Sequence, residues 1–265
     1  MKQLDTRGPE IGICNICGIL SRLTEDHIPP KGVPLVGQVY LSRLTETLGV
    51  EKLRRSERFF QRGVKYRSIC ANCNNVLLGS KYDPTLIQFC KELHSTLART
   101  VFLPISRPVK INRLLRAFVA HLISHGIEQH RVGTLSSDLT DYLLNDSAAF
   151  PANLRAYLWL YPYKPQIVAH GLGRISKFGA PDNISVFSLL KFYPIGFLCS
   201  ISDLPHDELA QVTRVDSLSS TSIDHLVSVE LNISFIPHGR WPELPGKYGA
   251  VFHNEHGTAT RPVQT

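Results

Sequence analysis

No part of this 265-residue chain approaches the roughly 20 uninterrupted apolar residues that a membrane-spanning helix needs. The opening run MKQLDTRGPE has no apolar core of the kind a secretory signal carries, so the sequence predicts a cytoplasmic protein with no membrane partner. Internal repeats and low-complexity tracts are also missing. In a reducing compartment persistent disulfides are not expected, which turns the six cysteines into candidates for metal ligands or free thiols. What is present is ordinary for a globular chain: 43% apolar residues, Gly and Pro throughout, and enough length for one large domain or two small ones.

The net charge of +7 is uneven. Residues 1–95 hold 14 Lys/Arg against 9 Asp/Glu, and residues 96–265 hold 15 against 13. Within 38–67 there are eight basic side chains, Arg43, Lys52, Arg54, Arg55, Arg58, Arg62, Lys65 and Arg67, against three acidic ones. Such an excess favours a polyanionic partner, because phosphate contacts release condensed counterions. By charge alone, a solvated helix face is an equal reading.

The pattern predicts an α+β chain in two parts. Residues 1–100 read as a small metal-organised unit, with a basic helical insertion at about 38–67 whose leucines Leu41, Leu44, Leu48 and Leu53 stand near helical spacing. A helix is expected after Cys73, running through Pro84 to Leu97, with Leu86, Phe89 and Cys90 on one face. Residues 101–265 read as an α+β domain with a mostly antiparallel sheet. An amphipathic helix at 111–124 is closed by Gly126, and a shorter one is expected at 137–144. Strands are expected at 155–161, 166–169, 184–190, 196–201 and 226–235, then a frayed tail after Phe252.

Two Cys-x-x-Cys units, Cys14/Cys17 and Cys70/Cys73, carry the strongest chemical signal. A two-residue spacer lets both thiolates reach one ion, and two such knuckles complete a tetrahedral site that suits zinc. The 52 residues between the knuckles require something folded there. Between and beside them stand Asp26-His27-Ile28-Pro29-Pro30 and, directly after Cys73, Asn74.

In this order of residues the chain resembles the HNH, or ββα-metal, endonuclease superfamily, in the zinc-bearing branch that includes the phage resolvase endonuclease VII. The resemblance covers roughly residues 12–95. It implies a ββα-metal domain, a structural zinc, a catalytic Mg2+ or Mn2+, and hydrolysis of DNA to 5′-phosphate and 3′-hydroxyl ends, with RNA as an open alternative. It also implies a role in bacterial defence or in a mobile element, with a second domain that selects the target or takes an activating ligand or partner protein. A homodimer is a natural way to cut both strands.

The residue types fit that chemistry. Asp26 offers a hard carboxylate and Asn74 a neutral carbonyl oxygen for Mg2+ or Mn2+. His27, next along an extended strand, points to the opposite face, where its imidazole can take a proton from water. The basic residues Arg54, Arg55, Arg58, Arg62, Lys65 and Arg67 are the expected contacts to the nucleic-acid backbone, with Lys65 and Arg67 nearest the scissile phosphate. A non-catalytic zinc-dependent nucleic-acid-binding module is the alternative.

The chain departs from the family in two places: Lys65-Tyr66-Arg67 stands where a middle Asn is often found, and Leu77-Leu78 where a metal-binding His often follows. Asp83 could approach the site, but it reads as an N-cap before Pro84. His121 and His125, four apart, lack the carboxylate that would complete a metalloprotease pattern. Gly171–Arg174 reads as a hairpin turn, His253–His256 as a coincidental echo of the HNH letters, and Cys90 and Cys199 as core thiols.

Overall fold

The computed structural model describes residues 4–49, 57–99, 104–130, 136–177, 184–204, 212–233, 236–245, 247 and 249–263. The first part runs β1 (Ile11–Ile13), β2 (Leu20–His27), β3 (Val39–Arg43), α1 (Leu44–Thr47), β4 (Arg58–Phe60) and β5 (Lys65–Cys70). A π-type helix (Asn72–Tyr82) follows and passes without a break into α2 (Asp83–Leu97). Strands β1, β2 and β5 form one antiparallel sheet, with β2 in its centre.

Beyond residue 100 come β6 (Ile105–Lys110), α3 (Ile111–Ser124), α4 (Ser136–Leu144), β7 (Arg155–Leu160), β8 (Ile167–Ile175), β9 (Ile184–Phe192) and β10 (Ile195–Ser200). They are followed by β11 (Thr213–Arg214), β12 (Leu226–Leu231), β13 (Ala250–Phe252) and β14 (Thr258–Pro262). The large sheet has nine strands in the order β11-β7-β10-β9-β8-β14-β3-β4, with β13 also on β8. All of its pairings are antiparallel, and β3 and β4 from before residue 100 complete one end of it. Among the described residues no helix is long and apolar enough to cross a membrane.

Among the described residues of 38–67 the expected helical insertion is reduced to α1, and the residues on either side are strands β3 and β4 at one end of the large sheet. Val39 and Leu41 are buried on one face, while Tyr40 between them pairs with Arg261 of β14. A period-two pattern closed by a distant strand therefore outcompetes the leucine spacing. Leu53, Lys52, Arg54 and Arg55 lie outside the described residues.

The C-terminal tail is also ordered. Strand β14 lies between β8 and β3, with Thr258, Ala259 and Thr260 buried. The Pro-containing stretch before α3 is β6, paired with β12 in a two-stranded ribbon that tolerates Pro108. Gly171 sits inside β8 at φ +56, where the register shifts between Ala169 and Leu172, so that segment is a bulge and not a hairpin turn.

Helix α3 is more than amphipathic: every residue except Arg113 and Ile123 is buried. Arg116 is the reason a fully enclosed helix can carry a cation. Its guanidinium donates to the carbonyls of Tyr142, Asn145 and Ala148 at 2.9–3.0 Å, satisfying the C-terminal acceptors of α4. One apolar core runs from Cys14, Leu23 and Ile69 through Leu86 and Phe89 to α3 and the large sheet, so strands and helices from both sides of residue 100 share it.

Candidate functional site

The four cysteines of the two knuckles converge. Their sulfurs all lie within 4.8 Å of one another, a cluster able to hold a metal ion such as zinc. Cys17 Sγ and Cys70 Sγ are 3.9 Å apart, far beyond a disulfide bond. That separation matches the edge of roughly 3.8 Å expected for a tetrahedron of Zn–S bonds of about 2.3 Å. Backbone N–H groups already point at the sulfurs, Cys70 N at Cys14 Sγ (3.3 Å) and Cys73 N at Cys70 Sγ (3.5 Å).

A hydrogen bond from Cys73 holds the Cys14 thiol down at about 4, whereas burial raises Cys17 to about 11 and the partnership with Cys14 raises Cys73. So many thiolates cannot coexist without a cation between them.

Asn15, inside the first knuckle, fixes the cluster to α3. Its side-chain amide donates to the Ile123 and Gly126 carbonyls (3.1 and 3.3 Å), and Ser68 Oγ donates to the Ser124 carbonyl at 2.6 Å. The end of α3 is thus satisfied by residues beside the cysteines.

The second knuckle opens the π-type helix, and Asn74 stands in its first turn. Asn74 Nδ2 donates to Thr24 Oγ1 (3.0 Å) and to the Glu25 carbonyl (3.1 Å), both on β2. With its nitrogen committed to β2, the carbonyl Oδ1 is the coordinating atom that Asn74 can offer. The wide turn is visible in the five-residue span of the Asp83 N–H bond to the Leu78 carbonyl. Such helices are uncommon and concentrate at functional sites. Of the pair Leu77-Leu78, Leu78 is buried in the core and Leu77 packs partly buried against it.

Register separates the two faces of the β2–β5 pair. His27 opposes Lys65 and Glu25 opposes Arg67 on one face, while Asp26 opposes Tyr66 on the other. The expected split between Asp26 and His27 is present. Asp26 is 6% exposed, and its Oδ2 lies 3.5 Å from Nδ1 of His121, itself completely buried. These two atoms face each other without an aligned hydrogen bond. On the far side of the ring, His121 Nε2 is 2.9 Å from Asp83 Oδ1.

Burial opposes charge on this imidazole, but the Asp83 carboxylate, with help from Asp26, raises it to about 10. Asp83 is no N-cap: it is the first residue of α2 within a continuous helical run, and its side chain is turned to His121. His121 and His125 diverge: the latter bonds His170 (3.0 Å) and Thr258 (2.9 Å) in another cavity. Sequence reasoning set His121 aside, and the signal available was a histidine on the buried stripe of α3.

On the outer face, His27 is half-buried beside the turn at Gly63. Burial first, then Lys65, lowers it below its ordinary 6.5. Gly63, at φ +76, lets the chain turn beside the ring, where an added Cβ would lie 3.9 Å from His27 Cδ2 and only 2.6 Å from Val36.

Next to this turn opens a cleft of about 500 Å3 lined by Arg7, Glu25, Arg58, Phe59, Arg62 and Lys65. Glu25 meets both Arg7 (3.6 Å) and Lys65 (3.7 Å), which leaves the cleft with cations in excess. Arg58 is turned to Thr6 (2.9 Å) and over the Phe60 ring, and Arg67 to the Gly8 carbonyl at 3.4 Å. Of the six expected backbone contacts, Arg58, Arg62 and Lys65 line the cleft, Arg67 does not, and Arg54 and Arg55 lie outside the described residues.

The chain matches no protein-family model, no curated protein and no solved structure.

Proposed function

We propose that the chain is a metal-dependent endonuclease of the HNH type, acting on phosphodiester bonds of DNA. One observation carries the reading: the Asn74 amide nitrogen is bonded to Thr24 and to the Glu25 carbonyl, so the second cysteine knuckle is tied to the strand that carries Asp26 and His27. Zinc held by Cys14, Cys17, Cys70 and Cys73 is architectural in this account. A paired strand–strand–helix unit, β2, β5 and the helix from Asn72, supports assigning residues 12–95 to a ββα-metal domain.

Asp26 and Asn74 are hard oxygen donors, and with Oδ2 turned to His121 the carboxylate keeps Oδ1 to offer, so the pair suits Mg2+ or Mn2+. When bound, that ion supplies neutralisation of the charge that builds on the phosphate oxygens. His27 takes the proton from the attacking water, for which its neutral imidazole is the required form, and its lowered affinity for protons keeps that form populated at neutral pH. Arg62 and Lys65 hold the backbone phosphate at the cleft.

Incubating the purified protein with supercoiled plasmid and Mg2+ or Mn2+ tests this. Relaxed or linear product that vanishes with EDTA is expected, and persistent supercoiled plasmid at every metal concentration refutes the nuclease reading. A second reading, a non-catalytic zinc-dependent nucleic-acid-binding module, is favoured by the near-complete burial of Asp26. Under that reading the plasmid is retarded on a gel and never cut.

A further inference from the structure

We infer that His121 and Asp83 form a positioning relay that holds the Asp26 carboxylate for a divalent cation, an inference that rests on the reading of Asp26 as a metal ligand. The contacts form a closed circuit. Asn74 and Asp83 belong to one uninterrupted helical run, the π-type helix and the first residue of α2. Asn74 is bonded to Thr24 and Glu25, and the next residue on that strand is Asp26. Asp26 faces His121 at 3.5 Å, and His121 meets Asp83 at 2.9 Å, which returns to the helix. A shift of the strand against the helix must therefore break either the Asn74 bonds or the imidazole contact.

The imidazole itself is not free to adapt. It is completely buried, and α3 is anchored just beyond it by the bonds of Asn15 and Ser68 to the Ile123, Ser124 and Gly126 carbonyls. With Nε2 held by Asp83, the other ring nitrogen, Nδ1, is the one that faces Asp26. In metal sites a partner of this kind sets the angle at which a ligand presents its oxygen, and losing it typically weakens the metal by about 10- to 100-fold. The relay also places a residue from beyond residue 100 in charge of a ligand on β2. A staple that merely ties α3 to the helix would need only the Asp83 contact.

The two roles separate in the zinc-loaded, full-length protein. Mn2+ binding is read from the loss of the free-ion EPR signal, with zinc content and melting temperature as controls. His121→Asn retains an amide near the Nδ1 position facing Asp26. His121→Gln retains one near Nε2 facing Asp83. His121→Asn is expected to bind Mn2+ within about threefold of the unmodified protein, and His121→Gln at least about 10-fold more weakly.

Asp83→Asn is nearly isosteric and guards against loss of folding in the buried His121 variants. It is expected to weaken Mn2+ binding by about 3- to 10-fold with zinc unchanged. Equal Mn2+ affinity in His121→Gln, or in Asp83→Asn should both His121 variants fail to fold, overturns the relay while leaving Asp26 as a ligand. Absence of Mn2+ binding by the unmodified protein, with Asp26→Asn no different, overturns both the relay and the metal-ligand reading.

Discussion

Asn74 donates to the Glu25 carbonyl at 3.1 Å, and this bond ties the helix that follows the second cysteine knuckle to the strand carrying Asp26 and His27. The same amide group reaches Thr24 Oγ1 at 3.0 Å, while Thr24 in turn donates to the Ile69 carbonyl at 2.9 Å. The strand, the knuckle and the helix are locked through one side chain. A conservative change there must disturb the strand as well as the ligand.

Asn74→Asp keeps an oxygen but replaces the donating amide with a carboxylate facing the Glu25 carbonyl. Two hydrogen bonds disappear, each worth about 1 kcal/mol. The variant is expected to lose about 2 kcal/mol in urea unfolding and to cleave more slowly than its retained oxygen alone would suggest. Unchanged stability would show that these bonds do not hold the strand to the helix.

The cysteine cluster makes zinc part of the folding free energy. One zinc per chain is expected by elemental analysis. Cys70→Ser should lose it and melt on the order of 10 °C lower, since about 2–4 °C accompany each kcal/mol in a chain of this size. A fully stable, zinc-free Cys70→Ser protein would dismiss the cluster as a metal centre.

Acid should weaken the fold through the pair His125 and His170. Burial, then the charge of His256, holds His170 at about 4, and burial first, then His170 and His256, holds His125 well below 6.5. The unfolded chain takes up these protons near pH 6.5 and the folded chain does not, so stability is full above 6.5 and falls as pH drops towards 4. Each histidine contributes a slope of up to about 1.4 kcal/mol per pH unit. Urea unfolding at pH 7, 6 and 5 measures it, and His170→Gln should flatten the decline.

Arg62→Ala and Lys65→Ala should each weaken binding to duplex DNA and lower the slope of log affinity against log salt by about 1. Arg67→Ala, whose guanidinium is turned to the Gly8 carbonyl, should change that slope least. Fluorescence anisotropy over a salt series decides this. An Arg67 effect equal to that of Lys65 would place the backbone outside the cleft.

What the sequence made legible was local. Cys14, Cys17, Cys70 and Cys73 declare themselves because two-residue spacing is itself the ligand geometry, and they do converge. The helices at Ile111–Ser124 and Ser136–Leu144 follow from short-range periodicity. What stayed hidden depends on distant pairing. Val39–Arg43 became a strand because β14 arrives from the other end of the chain, and Tyr40 has no local means of announcing Arg261 as its partner. His121 pairs with Asp26 and Asp83 only through the packing of α3, and neither carboxylate stands near it in the sequence.

The nuclease assignment rests most directly on His27, so the decisive measurement compares plasmid nicking by the unmodified protein and by His27→Ala and Asn74→Ala, each loaded with zinc. With Mg2+ or Mn2+ present, the unmodified protein is expected to nick, and His27→Ala to do so at least about 100-fold more slowly, in line with the loss of a general base. Asn74→Ala should be impaired to a similar degree. Equal nicking by all three proteins would contradict the account.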